Sequence, residues 1–217
     1  MNAENSFKTG TSPVERTTQT FPSRQLTAYI LAGGKSRRMG TDKGMVQLGG
    51  HALISHAIRL LASAGLSPRI VANDDAYLTF GCPVLHDLIP GKGPMGGLFT
   101  ALSDCPTPQV LLASCDMPML TNQVLERMIS RAGFGEIVCP TINSVPHPLF
   151  SLYPVALADR VGVLLREDRL RMLGLIAEVG YSGVGMDDLV HNAPEVFANV
   201  NSPEDLKMLQ EKWMDNK

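Results

Sequence analysis

The chain carries little charge, has almost no excess of either sign and contains no long apolar run, and each shortage excludes a class of protein. Charged residues make up 18% of the 217 residues, and the formal net charge is -2. Without a basic excess or a lysine-rich run, general binding to nucleic acid or to an anionic membrane is not expected. No apolar run is long enough to span a bilayer, and the first residues lack the apolar stretch of a secretory signal. This pattern predicts a cytoplasmic protein.

Cysteine is also scarce. The four cysteines are scattered, with no Cys-x-x-Cys pair and no histidine at zinc-finger spacing. This spacing implies no disulfide framework, and we expect thiols that pack as small hydrophobic side chains. The residues concerned are Cys82, Cys105, Cys115 and Cys139.

The apolar content is sufficient for one substantial core. The 217 residues are 44% hydrophobic, and this length lies near the upper range for a single α/β domain. Residues 1–25 are rich in Ser, Thr, Asn and Gln and show no sustained periodicity, which predicts a disordered tail. We therefore place the folded domain at residues 26–217.

Strand and helix patterns alternate along this domain. Residues 29–32 form a short apolar run, apolar residues recur at helical spacing over residues 52–64, and residues 69–72 contain β-branched side chains. A further apolar run ends at Ser114. This alternation favours an α/β fold, with a Rossmann-like, mostly parallel sheet and helices on both faces.

A glycine loop with basic residues follows the first predicted strand. The pair Gly33-Gly34 removes side chains where backbone amides can approach an anion. The loop is not a Walker A motif, because Tyr29 stands where that motif needs glycine, and it is not the dinucleotide fingerprint, because its glycines are adjacent. The cations around it suit phosphate oxygens. They are Lys35, Arg37, Arg38 and Lys43.

Other polar side chains also stand directly after apolar runs. Asn73, Asp87 and Asp116 each follow such a run, as Gly33 does. Because ligands in open parallel sheets bind beyond the carboxyl ends of the strands, we expect these residues to face one crevice. Asp116 precedes Met117-Pro118 and would present a carboxylate at this edge. Mg²⁺ is typically held by one or two carboxylates together with substrate phosphates, so Asp116 is the candidate metal ligand.

Residues 31–43 match the signature Leu-Ala-Gly-Gly-x-Ser-x-Arg-Met-Gly-x-Asp-Lys of nucleotidyltransferases, and the chain resembles the molybdenum cofactor guanylyltransferases, the MobA family. The resemblance extends from about residue 27 to the end of the chain. One departure is Met95-Gly96, where the family usually has Leu-Ala. The other matching motifs, in the family's order, are Gly93-Pro94-Met95-Gly96-Gly97, Ser114-Cys115-Asp116-Met117-Pro118, His147-Pro148-Leu149-Phe150 and Asn199-Val200-Asn201-Ser202-Pro203-Glu204-Asp205-Leu206.

The resemblance implies a nucleotidyltransferase fold, a GTP site and a Mg²⁺ ion on Asp116. It implies that Lys43, Arg38 and the metal stabilise negative charge on the reacting phosphates. The residues implied in GTP binding are Leu31, Ala32, Gly33, Gly34, Lys43, Asn73, Asp87 and Asp116. Those implied on the pterin-substrate side are Gly93, Gly97, Asn199 and Asn201.

The implied reaction is the transfer of GMP. The terminal phosphate of molybdenum-molybdopterin attacks the α-phosphorus of GTP, which forms molybdopterin guanine dinucleotide and releases pyrophosphate. Cofactor-insertion proteins or molybdoenzyme chaperones are the implied partners, while neither nucleic acid nor a membrane is expected.

Two other features have a structural interpretation of their own. His147 is a lone histidine before proline, so a packed or hydrogen-bonded role is favoured over general base catalysis. Arg166, Arg169 and Arg171 accompany Glu167 and Asp168, which favours a solvated helix face, although one arginine could reach the phosphate of molybdopterin.

Three alternatives differ in substrate or in activity. A cytidylyltransferase for the same pterin has a loop that resembles Leu-Ala-Ala-Gly, whereas Gly33 leaves more room beside the base here. A sugar-1-phosphate nucleotidyltransferase fits less well, because those chains are usually longer. A nucleotide sensor without turnover would tolerate loss of Lys43 and Asp116, yet both residues are present.

Overall fold

In the computed structural model, which describes residues 25–33, 42–133 and 135–215, strands and helices alternate from Leu26 onwards. The strands are β1 (Leu26–Leu31), β2 (Gln47–Leu48), β3 (His51–Ala52), β4 (Arg69–Val71), β5 (Val84–Leu85), β6 (Gln109–Ser114), β7 (Val138–Ile142), β8 (Val145–Pro146), β9 (Phe150–Pro154) and β10 (Ser182–Gly185). The helices are α1 (Leu53–Ser63), α2 (Gly93–Asp104), α3 (Asn122–Ile129), α4 (Ala158–Arg166), α5 (Met172–Val179), α6 (Asp187–Asn192) and α7 (Pro203–Asp215).

An eight-stranded sheet organises these elements. Its order is β10-β7-β9-β6-β1-β4-β5, with β8 paired to β7, while β2 and β3 form a separate hairpin. Strands β6, β1, β4 and β5 are mutually parallel, and β10 is parallel to β7. Only β9 and β8 run against their neighbours among the strands of this sheet in the described ranges. The mostly parallel sheet expected from the sequence is confirmed.

Strand β1 shows how the sequence builds two cores. Successive side chains of a strand point to opposite faces, so Ala28 and Ile30 enter one apolar core while Tyr29 enters the other. Both faces are covered, which explains why β6 is buried along its whole length and carries an almost continuous apolar run. Helices α1 and α3 pack on the first face, and α2, α4 and α5 pack on the second. The prediction of helices on both faces is therefore confirmed.

The elements predicted from periodicity also lie where they were expected. The helix expected over residues 52–64 is α1, Leu53–Ser63, and the strands expected at 29–32 and 69–72 are β1 and β4. All four cysteines are free thiols, with Cys115 and Cys139 buried. No helix within the described ranges is both long and apolar enough to cross a bilayer. The predicted tail, apart from Gln25, lies outside the described residues and stays a prediction.

The arginine segment near residue 166 differs from the prediction. Helix α4 ends at Arg166, and Asp168 adopts a left-handed conformation with φ of +58°, so residues 164–171 do not form one helix face. Arg169 pairs with Glu167 and Glu178, while Asp168 pairs with Lys92. The three arginines are exposed as expected, but residues 167–171 form the turn between α4 and α5, because the left-handed residue breaks the helix.

Candidate active site

The candidate site lies along the carboxyl edge of four adjacent parallel strands. Strands β5, β4, β1 and β6 are neighbours and share one direction, so the residues that follow them lie at the same edge. Along this edge the order is Asp87, Asn73, Gly33 and Asp116. The residues predicted to face one crevice therefore lie at one edge of the sheet, as expected, and the crevice itself stays a prediction.

At the β6 end of this edge, Lys43 contacts two residues from distant parts of the chain. Its Nζ donates to Oδ2 of Asp116 at 2.8 Å and to Oδ1 of Asn201 at 2.7 Å. The side chains of Lys43 and Asp116 are 17% and 13% exposed, so this ion pair is shielded from most solvent screening. A cation, a carboxylate and an amide thus converge at one point.

The chain holds Asn201 in place by backbone contacts on both sides. The amide of Val200 donates to the carbonyl of Asp116 at 2.9 Å, while Val200 itself is buried and Asn201 is exposed. The carboxylate of Asp205 accepts from the amides of Asn201 and Ser202, and the amide of Asn201 lowers the pKa of that carboxyl. The alternation predicted for residues 198–201, with amides on one side and apolar residues on the other, is confirmed.

At the β5 end, Asn73 and Asp87 form a reciprocal pair. The Nδ2 of Asn73 donates to Oδ2 of Asp87 at 2.8 Å, and the backbone amide of Asp87 donates to Oδ1 of Asn73 at 2.9 Å. The pair fixes the ends of β4 and β5 against each other. The other carboxylate oxygen of Asp87 accepts no hydrogen bond within the described residues, so it can accept one from a ligand.

Asp116 meets the requirements of a Mg²⁺ ligand. Its Oδ1 is buried and has no hydrogen-bond partner among the described side chains and backbone groups. A buried carboxylate oxygen without a partner is costly unless a ligand satisfies it, and Mg²⁺ prefers oxygen ligands. In the part of the chain that the structure describes, no three His, Cys, Asp or Glu side chains form a cluster that could hold a metal ion.

The glycine loop is described only at its start. Leu31 ends β1 and its carbonyl accepts from the amide of Cys115 at 3.1 Å, while the amide of Ala32 donates to the carbonyl of Val71 at 3.0 Å. Gly33 is exposed and has a φ of +87°, a backbone conformation that residues other than glycine rarely adopt. Gly34 and Arg38 lie outside the described residues, so their predicted roles stay predictions.

The sequence interpretation missed Tyr77 and Asp42. Asp42 caps the short 3-10 turn Lys43–Met45, and its Oδ1 accepts from the amide of Gly44 at 3.0 Å. The same oxygen accepts from the hydroxyl of Tyr77 at 2.5 Å. A buried tyrosine in the connection between the parallel strands β4 and β5 gives no signal in the sequence by itself. The capping aspartate directly before Lys43 was the signal that could have found the pair.

The glycines predicted on the pterin side lie on α2. Gly93 begins the helix with a φ of +58° and is exposed, whereas Gly97 is buried. A Cβ on Gly97 would lie 2.7 Å from Cδ2 of Leu31, so the small residue lets α2 pack against β1. Near the start of α2, Lys92 Nζ donates to Oδ1 of Asp168 at 2.8 Å, which joins α2 to the turn before α5.

Within the described residues, neither His147 nor Asn199 forms a side-chain hydrogen bond with Lys43, Asp116 or Asn201. The ring of His147 packs 5.1 Å from that of Phe197, and burial lowers its pKa. This agrees with the structural interpretation of His147. Asn199 is exposed two residues before Asn201.

Comparison with known proteins agrees with this geometry. The MobA-like NTP transferase domain matches residues 28–178. Among similar curated proteins, the molybdenum cofactor guanylyltransferase of Ralstonia nicotianae is 32% identical over 88% of this chain and 99% of the relative, and that of Vibrio cholerae is 32% identical over 88% and 95%.

A solved structure supports the fold. The molybdopterin-guanine dinucleotide biosynthesis protein A from Archaeoglobus fulgidus has a TM-score of 0.73 at 24% identity, and the match covers 87% of this chain and 99% of that one. Because the MobA-like NTP transferase domain matches more than half of the chain, the chain belongs to this family.

Proposed function

We propose that this nucleotidyltransferase transfers GMP from GTP to the terminal phosphate of molybdenum-molybdopterin, releasing pyrophosphate. The observation that carries the proposal is the convergence of Lys43, Asp116 and Asn201 at the carboxyl edge of the sheet. The two relatives from Ralstonia nicotianae and Vibrio cholerae support it, because both are named molybdenum cofactor guanylyltransferase.

The two polar clusters divide the edge into a base end and a phosphate end. Neighbouring strands are about 4.8 Å apart, so the three spacings from β5 to β6 separate the clusters by about 14 Å. This separation suits an extended nucleotide. Guanine presents N–H donors at N1 and at its 2-amino group, which the carboxylate of Asp87 can accept. We assign the base to Asp87 and Asn73 and the triphosphate to Gly33 and Lys43.

Lys43 has the charge and reach to hold phosphate oxygens. Its ammonium already donates to Asp116 and Asn201, so it is oriented before the substrate binds. The attacking group is a phosphate that is already ionised, so the protein does not need a strong general base. Its residues have to align the attacking oxygen with the α-phosphorus and neutralise charge on the departing pyrophosphate. This requirement fits a site that offers Lys43 and lacks an activated histidine.

Asp116 would hold Mg²⁺ through Oδ1, the oxygen that has no partner among the described residues. When bound, the ion supplies positive charge to the phosphate oxygens of the nucleotide. The task of Asp116 is then to fix the position of that charge, and Asn201 orients Lys43 beside it.

We assign the pterin to the side of the cleft that carries Gly93, Gly97, Asn199 and Asn201, where Asn201 also orients Lys43. The Lys92–Asp168 pair joins the start of α2 to an exposed turn that carries Arg169 and Arg171. Arg169 is engaged by two glutamates, whereas Arg171 forms no ion pair with another described residue. Arg171 is therefore our candidate among these arginines for the phosphate of molybdopterin. Cytoplasmic location and transfer of the product to an insertion protein or chaperone remain proposals from the sequence.

The direct test incubates the purified protein with Mg²⁺, molybdenum-loaded molybdopterin and either GTP or CTP. Pyrophosphate release and the dinucleotide formed are both measured, with reactions lacking the pterin or containing EDTA as controls. We expect product with GTP and none in either control. Preference for CTP would instead indicate a cytidylyltransferase, and tight GTP binding without turnover would indicate a sensor.

A further inference from the structure

We propose that Tyr77 is a positioning residue that fixes Lys43 and couples it to the base end of the cleft. The inference rests on the proposed function for its catalytic consequence, since it assigns a phosphate-binding role to Lys43. Tyr77 would act through Asp42, without touching the substrate itself.

The contacts run in one short series. The hydroxyl of Tyr77 donates to Oδ1 of Asp42, and the amide of Gly44 donates to the same oxygen. Asp42 and Gly44 flank Lys43 directly, so the two bonds hold the backbone on both sides of the lysine. The ammonium then reaches Asp116 and Asn201 from a fixed origin.

The lack of a side chain at Gly44 makes room for the hydroxyl of Tyr77 beside Asp42. A Cβ at this buried position would lie 2.3 Å from the hydroxyl oxygen of Tyr77, a distance that real contacts do not allow. The residue after Lys43 must therefore be glycine for the tyrosine to reach Asp42. This close approach distinguishes the contact from ordinary packing of an aromatic ring.

Packing of the apolar core requires the ring of Tyr77 but not its hydroxyl. The side chain is 0% exposed, and phenylalanine would bury the same ring. Burial and the bond to Asp42 raise the pKa of Tyr77, so the hydroxyl stays protonated and acts as a donor. The polar group adds the hydrogen bond to Asp42 and a second interaction with the backbone of Gly33.

The position of Tyr77 in the chain links Lys43 to the pair of residues that we assign to the base. It lies in the 3-10 helix Asp75–Phe80, which Asp74 caps by accepting from the amide of Ala76. This helix connects Asn73 to β5 and Asp87, the pair assigned to the base. The segment from Asn73 to Asp87 therefore carries the base-binding pair at its two ends and, through Tyr77, also holds the lysine assigned to the phosphates.

The test compares Tyr77→Phe with Tyr29→Phe. Tyr29 is a matched control because it is also 0% exposed and its hydroxyl also donates to an aspartate, Asp104, at 2.7 Å. Asp104 ends α2, before β6 begins, and so lies on the amino side of the sheet. We expect Tyr77→Phe to lower kcat for GTP by about tenfold with KM for GTP changed by less than about twofold, because a misplaced group costs rate more than binding. Tyr29→Phe should leave kcat unchanged.

A double variant separates positioning from a general loss of packing. In an Asp42→Ala background, Tyr77→Phe should lower kcat by much less than it does in the wild type, because its acceptor is already absent and only the interaction with the backbone of Gly33 is left to lose. Asp42→Asn keeps an amide oxygen that can accept both bonds and should restore most of the rate. Equal kcat for Tyr77→Phe and the wild type, or additive losses in the double variant, would overturn the proposal.

Hydrogen exchange provides a readout that does not depend on GTP turnover. Tyr77→Phe should speed amide exchange in the peptide that contains residues 42–46, whereas Tyr29→Phe should not. If the wild type does not act on GTP and this exchange effect is present, the proposed function fails while the positioning of Lys43 stands. Unchanged exchange in residues 42–46 would refute the positioning itself.

Discussion

The ammonium of Lys43 lies 2.8 Å from Oδ2 of Asp116, although 73 residues separate them in the chain. The contact depends on the parallel pairing of β1 with β6, in which Leu31 and Ser114 are partners at the strand ends. The lysine satisfies one carboxylate oxygen and leaves the other buried without a described partner. We expect the lysine to exchange this contact for phosphate oxygens when the nucleotide and metal bind.

Asp116→Asn tests the metal assignment. The amide keeps the size of the side chain but removes the charge that binds Mg²⁺, so we expect turnover to fall by about a hundredfold or more. The melting temperature should change little, because Asp116 lies at the edge of the sheet and outside the apolar core. Pyrophosphate release over a range of Mg²⁺ concentrations measures the effect.

Asp104→Asn is the matched control for that variant. Asp104 also forms an ion pair, with Arg69, and is also partly exposed, but it lies before β6 and away from the site. This variant should lose stability and keep its turnover. Retained Mg²⁺-dependent activity in Asp116→Asn would remove Asp116 from the metal site.

Asn201→Ala and Asn199→Ala should have different kinetic effects. Asn201 accepts from Lys43 at 2.7 Å, so its loss should lower kcat by about tenfold, as expected when an orienting contact is removed. Asn199 lies two residues earlier and is assigned to the pterin, so its loss should raise KM for molybdopterin instead. Steady-state kinetics with each substrate varied in turn distinguish the two, and identical changes in both variants would contradict the assignment.

Asp87→Asn tests recognition of guanine. The variant keeps an oxygen for Asn73 but loses the negative charge that we assign to the base. A hydrogen bond to a charged group contributes about 1.5–3 kcal/mol, so KM for GTP should rise by about tenfold or more while activity with CTP changes little. Asp75→Asn, an exposed aspartate in the same segment paired with His86, is the control. Equal losses with GTP and CTP would count against a role in base selection.

The sequence was sufficient to predict the parallel strands that precede the candidate site residues and the edge of the sheet at which those residues lie, but not strands β7 to β10. Apolar periodicity identified β1, α1 and β4, and each candidate residue at a strand end was visible as a polar side chain after an apolar run. The parallel order of the strands then placed Asn73, Asp87 and Asp116 at one edge. The strands, the helix and the polar residues at strand ends all follow from local patterns of apolar and polar residues, which can be seen in the sequence itself.

Contacts between distant residues were beyond the same reasoning. Nothing in the local pattern pairs Tyr77 with Asp42 or Lys43 with Asn201, because these contacts depend on how loops pack after the sheet has formed. The turn at residues 167–171 was missed for a related reason. Its backbone direction is set by Asp168 in a left-handed conformation, which charge periodicity does not reveal.

Gly33→Ala should destabilise the protein through its backbone. The φ of Gly33 is +87°, while among the described residues a Cβ there would meet only Oδ2 of Asp42, at an ordinary 3.8 Å. The expected loss is therefore conformational, about 1–2 kcal/mol of the free energy of unfolding. Gly174→Ala is the opposite control, because this exposed helical glycine has room for a Cβ and alanine is the better helix former. Urea unfolding should show a loss in the first variant and a small gain in the second, and no loss in Gly33→Ala would contradict the strain.

The buried ring of His56 predicts how stability depends on pH. Burial lowers its pKa below the usual 6.5, and its Nε2 lies 3.1 Å from the carbonyl of Leu48. Below pH 6.5 the unfolded chain therefore binds a proton that the folded chain rejects. The free energy of unfolding should be highest above this pH and fall as the pH decreases. His147, whose pKa burial also lowers, contributes in the same direction.

His56→Gln isolates the contribution of that ring. The glutamine amide can donate to Leu48 but does not titrate, so urea unfolding should show a shallower loss of stability between about pH 7 and pH 5.5 than in the wild type. His191→Gln, at an exposed position near the end of α6, should keep the wild-type slope. An unchanged slope in His56→Gln would mean that its proton does not control acid stability, and the remaining dependence would then have to come from His147 or from the carboxylates.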